Sequence, residues 1–147
     1  MAESSSHEKG TEKLAGATAE LLVAVELLKH GFAVSWPFGD SEGYDIISDS
    51  LSRLTRLQVK SSSVKNKHGV YRVTLARGGK KVPYTRKDAD YFVVVLMYGN
   101  GPAFYVLPIE EIKLAARFWE PGAHPLQVSK WHICAYESFR DRWDLLR

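Results

Sequence analysis

The sequence predicts a single α/β domain in which one amphipathic helix precedes a mixed sheet and further helices follow late in the chain. Three observations predict it. Residues 11–30 combine strong helix formers with a broad apolar face. Residues 53–60 alternate polar and apolar side chains with the two-residue period of a strand. Residues 91–98 form a continuous apolar run, which is typical of a buried central strand.

Local composition predicts the elements in chain order. The first helix is expected to end at Gly31, since glycine adopts the left-handed conformation of a helix cap at little cost. Strand-forming residues bounded by turn signals recur in six segments, at residues 32–36, 44–48, 53–60, 70–75, 91–98 and 103–107. Loops are expected at residues 38–43 and 76–87, a hairpin turn at 99–101, and helices at 110–119 and 136–146.

Length and composition restrict the class of protein. At 147 residues the chain holds one core, so we expect a flexible tail over residues 1–10 and one domain over residues 11–147. The single cysteine excludes an internal disulfide and a Cys-x-x-Cys zinc site. No apolar run approaches the roughly 18 residues of a membrane span, and the polar start lacks the apolar stretch of a secretory signal. We therefore expect an intracellular, cytoplasmic protein.

Charge is segregated along the chain. Residues 51–87 contain 11 of the 20 basic residues and no Asp or Glu, whereas the other 9 basic and 17 acidic residues give the remainder a net charge of −8. Such segregation is the electrostatic footprint of a face that meets a polyanion. A solvated basic loop with no such partner is the alternative.

Two carboxylates occupy unusual positions. A carboxylate on the apolar stripe of a helix is costly unless a cation or a metal lies opposite. Glu20 has small or apolar neighbours one turn away on either side, namely Gly16, Ala17, Val23 and Ala24. A rim position, from which Glu20 reaches solvent, is the alternative. Asp45 lies in a predicted strand, where aspartate is disfavoured, unless it only ends the preceding loop by accepting backbone hydrogen bonds.

The strand at residues 53–60 adds an amide and a lysine. Its period places Arg56, Gln58 and Lys60 on one face, which is ordinary for a solvent face, and three serines follow that suit phosphate oxygens. Together with Glu20 and Asp45, the residues Gln58 and Lys60 are a set of groups that could catalyse phosphodiester hydrolysis. Asp45 and the Gln58 amide oxygen would hold Mg²⁺, and Lys60 would orient or deprotonate the attacking water. Glu20 would hold a water ligand of the ion or a second ion.

This order of residues resembles the PD-(D/E)XK nuclease superfamily. The resemblance is carried by Glu20, by Gly43-Tyr44-Asp45 and, thirteen residues after Asp45, by Gln58-Val59-Lys60. More narrowly, the chain resembles the small group I intron-encoded homing endonucleases, in which glutamine stands where a second acid is usual. Asp90-Tyr91 and the segment 105–112 are also similar. The sequence departs from the pattern at Tyr44, where proline is usual.

The resemblance implies a restriction-endonuclease-like core and a Mg²⁺-dependent DNA endonuclease in which Mn²⁺ can substitute. It implies catalytic roles for Glu20, Asp45, Gln58 and Lys60, and it adds Val59 to the metal ligands Asp45, Gln58 and Glu20. The basic segment would then contact phosphates of double-stranded DNA, through Ser61, Lys65, Lys67, Tyr71, Arg72, Arg77, Lys80, Lys81, Arg86 and Lys87. A double-strand cut by a domain with one site requires at least a symmetric dimer, so we expect a homodimer or a homotetramer.

Two alternatives remain open. A structure-selective nuclease of the Holliday-junction resolvase type would share every catalytic residue named, and cleavage of a four-way junction against a linear duplex separates the two. A nuclease-fold protein that only binds nucleic acid would have lost its chemistry with the second acid, since Gln58 leaves one fewer negative charge on the metal. Metal-dependent cutting would exclude that reading.

Overall fold

A long helix and a five-stranded sheet form the centre of the protein. The computed structural model describes residues 3–39, 43–63, 69–98, 101–111, 115–119 and 136–147. The helix α1 spans Glu3–Lys29. The strands are β1 Ala33–Ser35, β2 Ile46–Asp49, β3 Leu54–Ser62, β4 Val70–Thr74, β5 Ala76–Arg77, β6 Val82–Pro83, β7 Tyr91–Tyr98, β8 Gly101–Pro108 and β9 Ala115–Trp119.

The strand order of the main sheet is β1-β2-β3-β7-β8. Strands β3 and β7 run parallel, and the other neighbours in this sheet run antiparallel. Two smaller antiparallel pairs, β4 with β9 and β5 with β6, accompany it. The predicted mixed sheet behind an N-terminal helix is therefore confirmed.

The first core lies between α1 and the main sheet. Ala19, Val23 and Leu27 recur at four-residue intervals, so they share the buried side of the helix. Trp143 and Leu146 near the C-terminus join this core. The sheet contributes alternate residues of its strands, which are Ile46, Leu57, Val59, Val93, Val95, Phe104 and Val106. Because side chains alternate across a strand, the polar residues of β3 between them face the other side of the sheet.

The second core lies on that other side, beneath the small sheet of β4 and β9. Tyr71, Val73 and Phe118 from these two strands are buried. They pack with the remaining alternate residues of β7 and β8, which are Phe92, Val94, Leu96, Ala103, Tyr105 and Leu107. Strand β7 is therefore covered on both faces, which explains why its sequence is a continuous apolar run.

The prediction of a helix over residues 110–119 is wrong. Ile109–Glu111 form one 3-10 turn, and Ala115–Trp119 is strand β9. Ala116 and Phe118 are buried while Arg117 between them is exposed, so this segment has the period of a strand. Pairing with β4 and burial over the main sheet outweigh the helix propensity of its two alanines.

The prediction of a C-terminal helix over residues 136–146 is also wrong. Two 3-10 turns, Glu137–Phe139 and Trp143–Leu146, occupy this segment. Asp141 between them has a φ of +51°, which lies outside the right-handed helical region and separates the turns. This break lets Trp143 and Leu146 enter the first core.

Two boundaries also differ from the predicted ones. Helix α1 begins at Glu3 rather than at residue 11, so residues 3–10 are helical, and the flexibility of this tail in solution stays a prediction. The predicted loop over residues 76–87 contains the β5–β6 hairpin. In the part of the chain that the structure describes, no helix has the length and apolar character needed to cross a membrane.

Candidate active site

Strand pairing and helix packing bring the predicted site residues together. Glu20 lies on α1, Asp45 directly precedes β2, and Gln58 and Lys60 lie on β3. The β2–β3 register pairs Ile46 with Leu57, and the Asp45 amide donates a hydrogen bond to the Leu57 carbonyl at 2.8 Å. That bond extends the ladder by one residue and holds Asp45 against the start of the Gln58-Val59-Lys60 motif.

The Asp45 carboxylate is fixed by two hydrogen bonds from this motif. Its Oδ2 accepts one from the Gln58 side-chain amide at 2.7 Å and one from the Val59 backbone amide at 2.8 Å. The Gln58 side chain is buried, and its Nε2 also lies 3.3 Å from the Val59 carbonyl oxygen. Two oxygens thus converge on one electropositive group, the Gln58 amide nitrogen.

The two carboxylates influence each other. Burial raises the pKa of Glu20, and the negative charge of Asp45 raises it further. Burial also raises the pKa of Asp45, partly opposed by the Val59 hydrogen bond and by the positive charge of Lys60. Electrostatic interactions therefore link three charged side chains in sequence, Glu20 with Asp45 and Asp45 with Lys60.

The donor set fits a hard divalent cation. Asp45 supplies a carboxylate, Val59 a backbone carbonyl and Gln58 an amide, all types of group that offer the oxygen ligands preferred by Mg²⁺. The pKa values of Glu20 and Asp45 are raised because hydrogen bonds and nearby charges do not fully offset the cost of burying the two ionised carboxylates. Among the described residues, no group of three or more His, Cys, Asp or Glu side chains is placed to hold a metal ion.

The comparisons with known proteins agree with this geometry. The sequence model of the PD-(D/E)XK endonuclease family matches residues 11–130. The chain belongs to the PD-(D/E)XK endonuclease family. Its fold is similar to the solved structure of a bacterial homing endonuclease, I-Ssp6803I, with a TM-score of 0.73, 27% sequence identity and 90% coverage of each chain. No curated protein sequence matches the chain.

The family match and the structural match confirm the resemblance drawn from the sequence, including the relationship to homing endonucleases and the restriction-endonuclease-like core. The matched region contains Glu20, Asp45, Gln58 and Lys60. Within that region the Gln58 side-chain amide contacts the carboxylate of Asp45.

The predicted DNA contacts have different surroundings. Six of them are exposed, namely Arg72, Arg77, Lys80, Lys81, Arg86 and Lys87, and two of these six are also held in ion pairs. Arg77 forms an ion pair with Asp88 at 2.7 Å. Arg86 forms an ion pair with Glu110. Ser61 is partly buried on β3.

One predicted phosphate contact is wrong, and two cannot be placed. Tyr71 is only 1% exposed within the second core, because it alternates inward on β4 where its exposed neighbour Arg72 alternates outward. It is therefore a packing residue. Lys65 and Lys67 lie outside the described residues.

Sequence reasoning missed three contacts around the site. Asp90 accepts hydrogen bonds from the Arg56 backbone amide at 2.8 Å and from its guanidinium, at the point where parallel strands β3 and β7 begin to pair. A Cβ on Gly43 would lie 2.8 Å from the Cβ of Asp88, so only glycine fits there. Tyr84 holds its ring 5.1 Å from the Lys60 ammonium. Asp88 and Asp90, which follow the basic segment directly, were the sequence signal for two of these contacts. No feature of the sequence indicated the contact of Tyr84.

Proposed function

We propose that this protein is a Mg²⁺-dependent DNA endonuclease that hydrolyses phosphodiester bonds at the Glu20, Asp45, Gln58 and Lys60 site. The observation that carries the proposal is the Asp45 carboxylate, hydrogen-bonded to Gln58 and Val59 and electrostatically coupled to Glu20 and Lys60. A carboxylate with a purely structural role has no need of a second, partly buried acid beside it, since that acid costs stability.

Asp45, the Val59 carbonyl and the Gln58 amide oxygen would hold the ion, and Mn²⁺ could substitute for Mg²⁺. Such an ion, when bound, lowers the pKa of the attacking water and polarises the phosphodiester. The Gln58 amide must turn to present its oxygen, which the similar size of its oxygen and nitrogen permits. Glu20 would accept hydrogen bonds from water on the side of the site formed by α1.

Lys60 would act through its charge. Its ammonium lies near enough to Asp45 to lower that carboxyl's pKa, and it faces an aromatic ring, which attracts a cation. It would therefore orient the attacking water and stabilise the negative charge that develops on the phosphate. This favours charge stabilisation over proton abstraction as the role of Lys60.

Binding of double-stranded DNA would use the exposed basic side chains near the β5–β6 hairpin. Arg72, Lys80, Lys81 and Lys87 are exposed and would contact phosphates, with affinity that falls as salt rises. One site per chain means that cutting both strands requires at least a two-fold symmetric assembly. We therefore propose a homodimer or a homotetramer on DNA.

The test is cleavage of a plasmid library with randomised inserts in Mg²⁺, followed by sequencing of the cut ends. We expect the wild-type protein to cut a sequence-related subset, and chelation of the metal or the Asp45→Asn substitution to stop cutting. Lys60→Ala should slow single-turnover cleavage about 10²- to 10³-fold, while affinity changes little because many other cations would still contact the backbone.

The outcomes also separate the two alternatives. Preferential cleavage of four-way junctions over linear duplexes would favour a structure-selective resolvase built on the same residues. Binding without cleavage in Mg²⁺ and in Mn²⁺ would contradict the proposal and favour a protein that only binds nucleic acid. Full cleavage by Lys60→Ala would contradict only the role assigned to Lys60 and would leave the proposed nuclease activity intact.

A further inference from the structure

Tyr84 places one aromatic ring beside two cations of different predicted roles. The Lys60 ammonium lies 5.1 Å from the ring centroid, and the Arg77 guanidinium carbon lies 5.4 Å from it. Lys60 belongs to the candidate active site, whereas Arg77 ends strand β5 of the basic hairpin. The ring therefore joins the site to the hairpin.

The ring is itself held in place. It packs in a T-shaped arrangement with the ring of Phe92 on the central strand β7, with centroids 5.4 Å apart and an interplanar angle of 84°. The next residue, Thr85, donates hydrogen bonds to Asp88 from its backbone amide at 2.8 Å and from its hydroxyl at 3.3 Å. These contacts hold the Tyr84 ring against the central strand and fold the segment that follows it into a turn.

Asp88 anchors the same segment to the loop that carries the catalytic aspartate. It forms an ion pair with Arg77 at 2.7 Å. Its Cβ and backbone also lie so close to Gly43 that a side chain there would clash. Gly43 is two residues before Asp45, so the segment 84–88 is packed directly against the approach to the site.

We propose that Tyr84 is a positioning residue for Lys60, holding its ammonium toward the Asp45 site through a cation–π interaction. This inference rests on the proposed function of Lys60. A lysine side chain has a flexible four-carbon stem, and in the described part of the chain its ammonium forms no salt bridge. A ring face restrains the ammonium without neutralising it, whereas a carboxylate partner would cancel the charge that the reaction needs.

The test compares Tyr84→Phe with Tyr84→Leu. Phenylalanine keeps the ring face, so single-turnover cleavage should stay within about twofold of wild type; leucine removes it, and cleavage should fall about tenfold. DNA affinity, measured in Ca²⁺, should stay within about threefold in both variants. In a Lys60→Ala background, Tyr84→Leu should cause no further loss, because the ring acts through that lysine.

A graded series guards against a variant that fails to fold. Phenylalanines bearing one, two and three ring fluorines at position 84 have nearly the same shape, but each fluorine weakens the attraction of the ring face for a cation. We expect the logarithm of the cleavage rate to fall steadily with fluorination. A flat series would overturn the proposal, since a packing role depends on shape alone.

A readout without cleavage completes the test. In the metal-free wild-type protein, the Lys60 Hε protons should be shifted upfield by the ring current of Tyr84; the shift should persist in Tyr84→Phe and vanish in Tyr84→Leu. Its absence in the wild type would overturn the proposal.

A wild-type protein that shows the shift but cuts no DNA would overturn the proposed function and, with it, the catalytic part of this role. A wild type that cuts normally alongside an equally active Tyr84→Leu would overturn this inference only.

Discussion

The surroundings of Asp45 have opposing effects on the ionised form of its carboxyl group. Hydrogen bonds from Gln58 and Val59 and the charge of Lys60 favour the carboxylate, but burial dominates and raises its pKa. The pKa of Glu20 is raised by burial and by the negative charge of Asp45. Both carboxylates are partly buried, and the raised pKa values show that their surroundings do not fully offset the cost of ionising them.

The pH dependence of the metal-free protein follows from these shifts. A carboxyl whose pKa is higher in the fold than in the unfolded chain stabilises the fold only while it is protonated. That contribution is present below the unfolded pKa of about 3.8 for Asp45 and is lost as the pH rises through the higher folded value. At neutral pH, both ionised carboxylates therefore weaken the metal-free fold.

Removing either charge should stabilise the metal-free protein while it abolishes or impairs cleavage. At pH 7 we expect Asp45→Asn to raise the melting temperature by roughly 1–3 °C, with the gain shrinking as the pH falls toward 4. Glu20→Gln should behave similarly, and the double variant should gain less than the sum because each acid perturbs the other. The measurement is thermal unfolding at several pH values without divalent ions. A loss of stability at every pH would contradict the coupling inferred here.

At the scale of elements, the sequence predicted strands well and late helices badly. Alternation in β3 and the two-sided apolar run of β7 reflect burial directly, so both strands could be predicted. The segment of β9 could not, because Ala115 and Ala116 favour a helix and only the long-range pairing with β4 makes them a strand. The break at Asp141 depends on how Trp143 reaches the core, which local sequence does not encode.

The four candidate site residues could be selected from the sequence alone, and their catalytic roles stay a prediction. Glu20 and Asp45 stood out because a carboxylate on an apolar helix face or in a strand is unusual, whereas Gln58 and Lys60 are ordinary for a solvent face and were selected by their order after these two acids. Tyr84 could not be found in the same way, since an aromatic residue in a loop is ordinary and only the folded hairpin brings it to Lys60.

The β5–β6 turn is the element whose predicted DNA contact can be tested most simply. Lys80 and Lys81 are exposed there. We expect Lys80→Gln and Lys81→Gln to weaken DNA binding and each to reduce the slope of log affinity against log salt by roughly 0.9, while the single-turnover rate at saturating protein stays unchanged. Salt titrations of binding measure this. An unchanged slope would show that this turn lies away from the DNA, and Lys29→Gln on α1 is the matched control.

At the scale of the whole molecule, the basic segment is less uniformly positive than its sequence suggests. Three of its arginines meet carboxylates from outside it: Arg56 meets Asp90, Arg77 meets Asp88 and Arg86 meets Glu110. Part of the positive charge therefore stabilises the packing of the segment against the main sheet, and lysines together with Arg72 form much of its exposed basic surface. A sum over the sequence cannot distinguish these two uses of charge.

The central claim is that folding creates one cation site from α1, the start of β2 and β3. Its most direct test is anomalous diffraction from crystals of the protein soaked in Mn²⁺. We predict a single anomalous peak at about 2–2.5 Å from the Asp45 carboxylate and the Val59 carbonyl, absent in crystals of Asp45→Asn. Crystals that take up Mn²⁺ elsewhere but show no peak beside Asp45 would contradict the account.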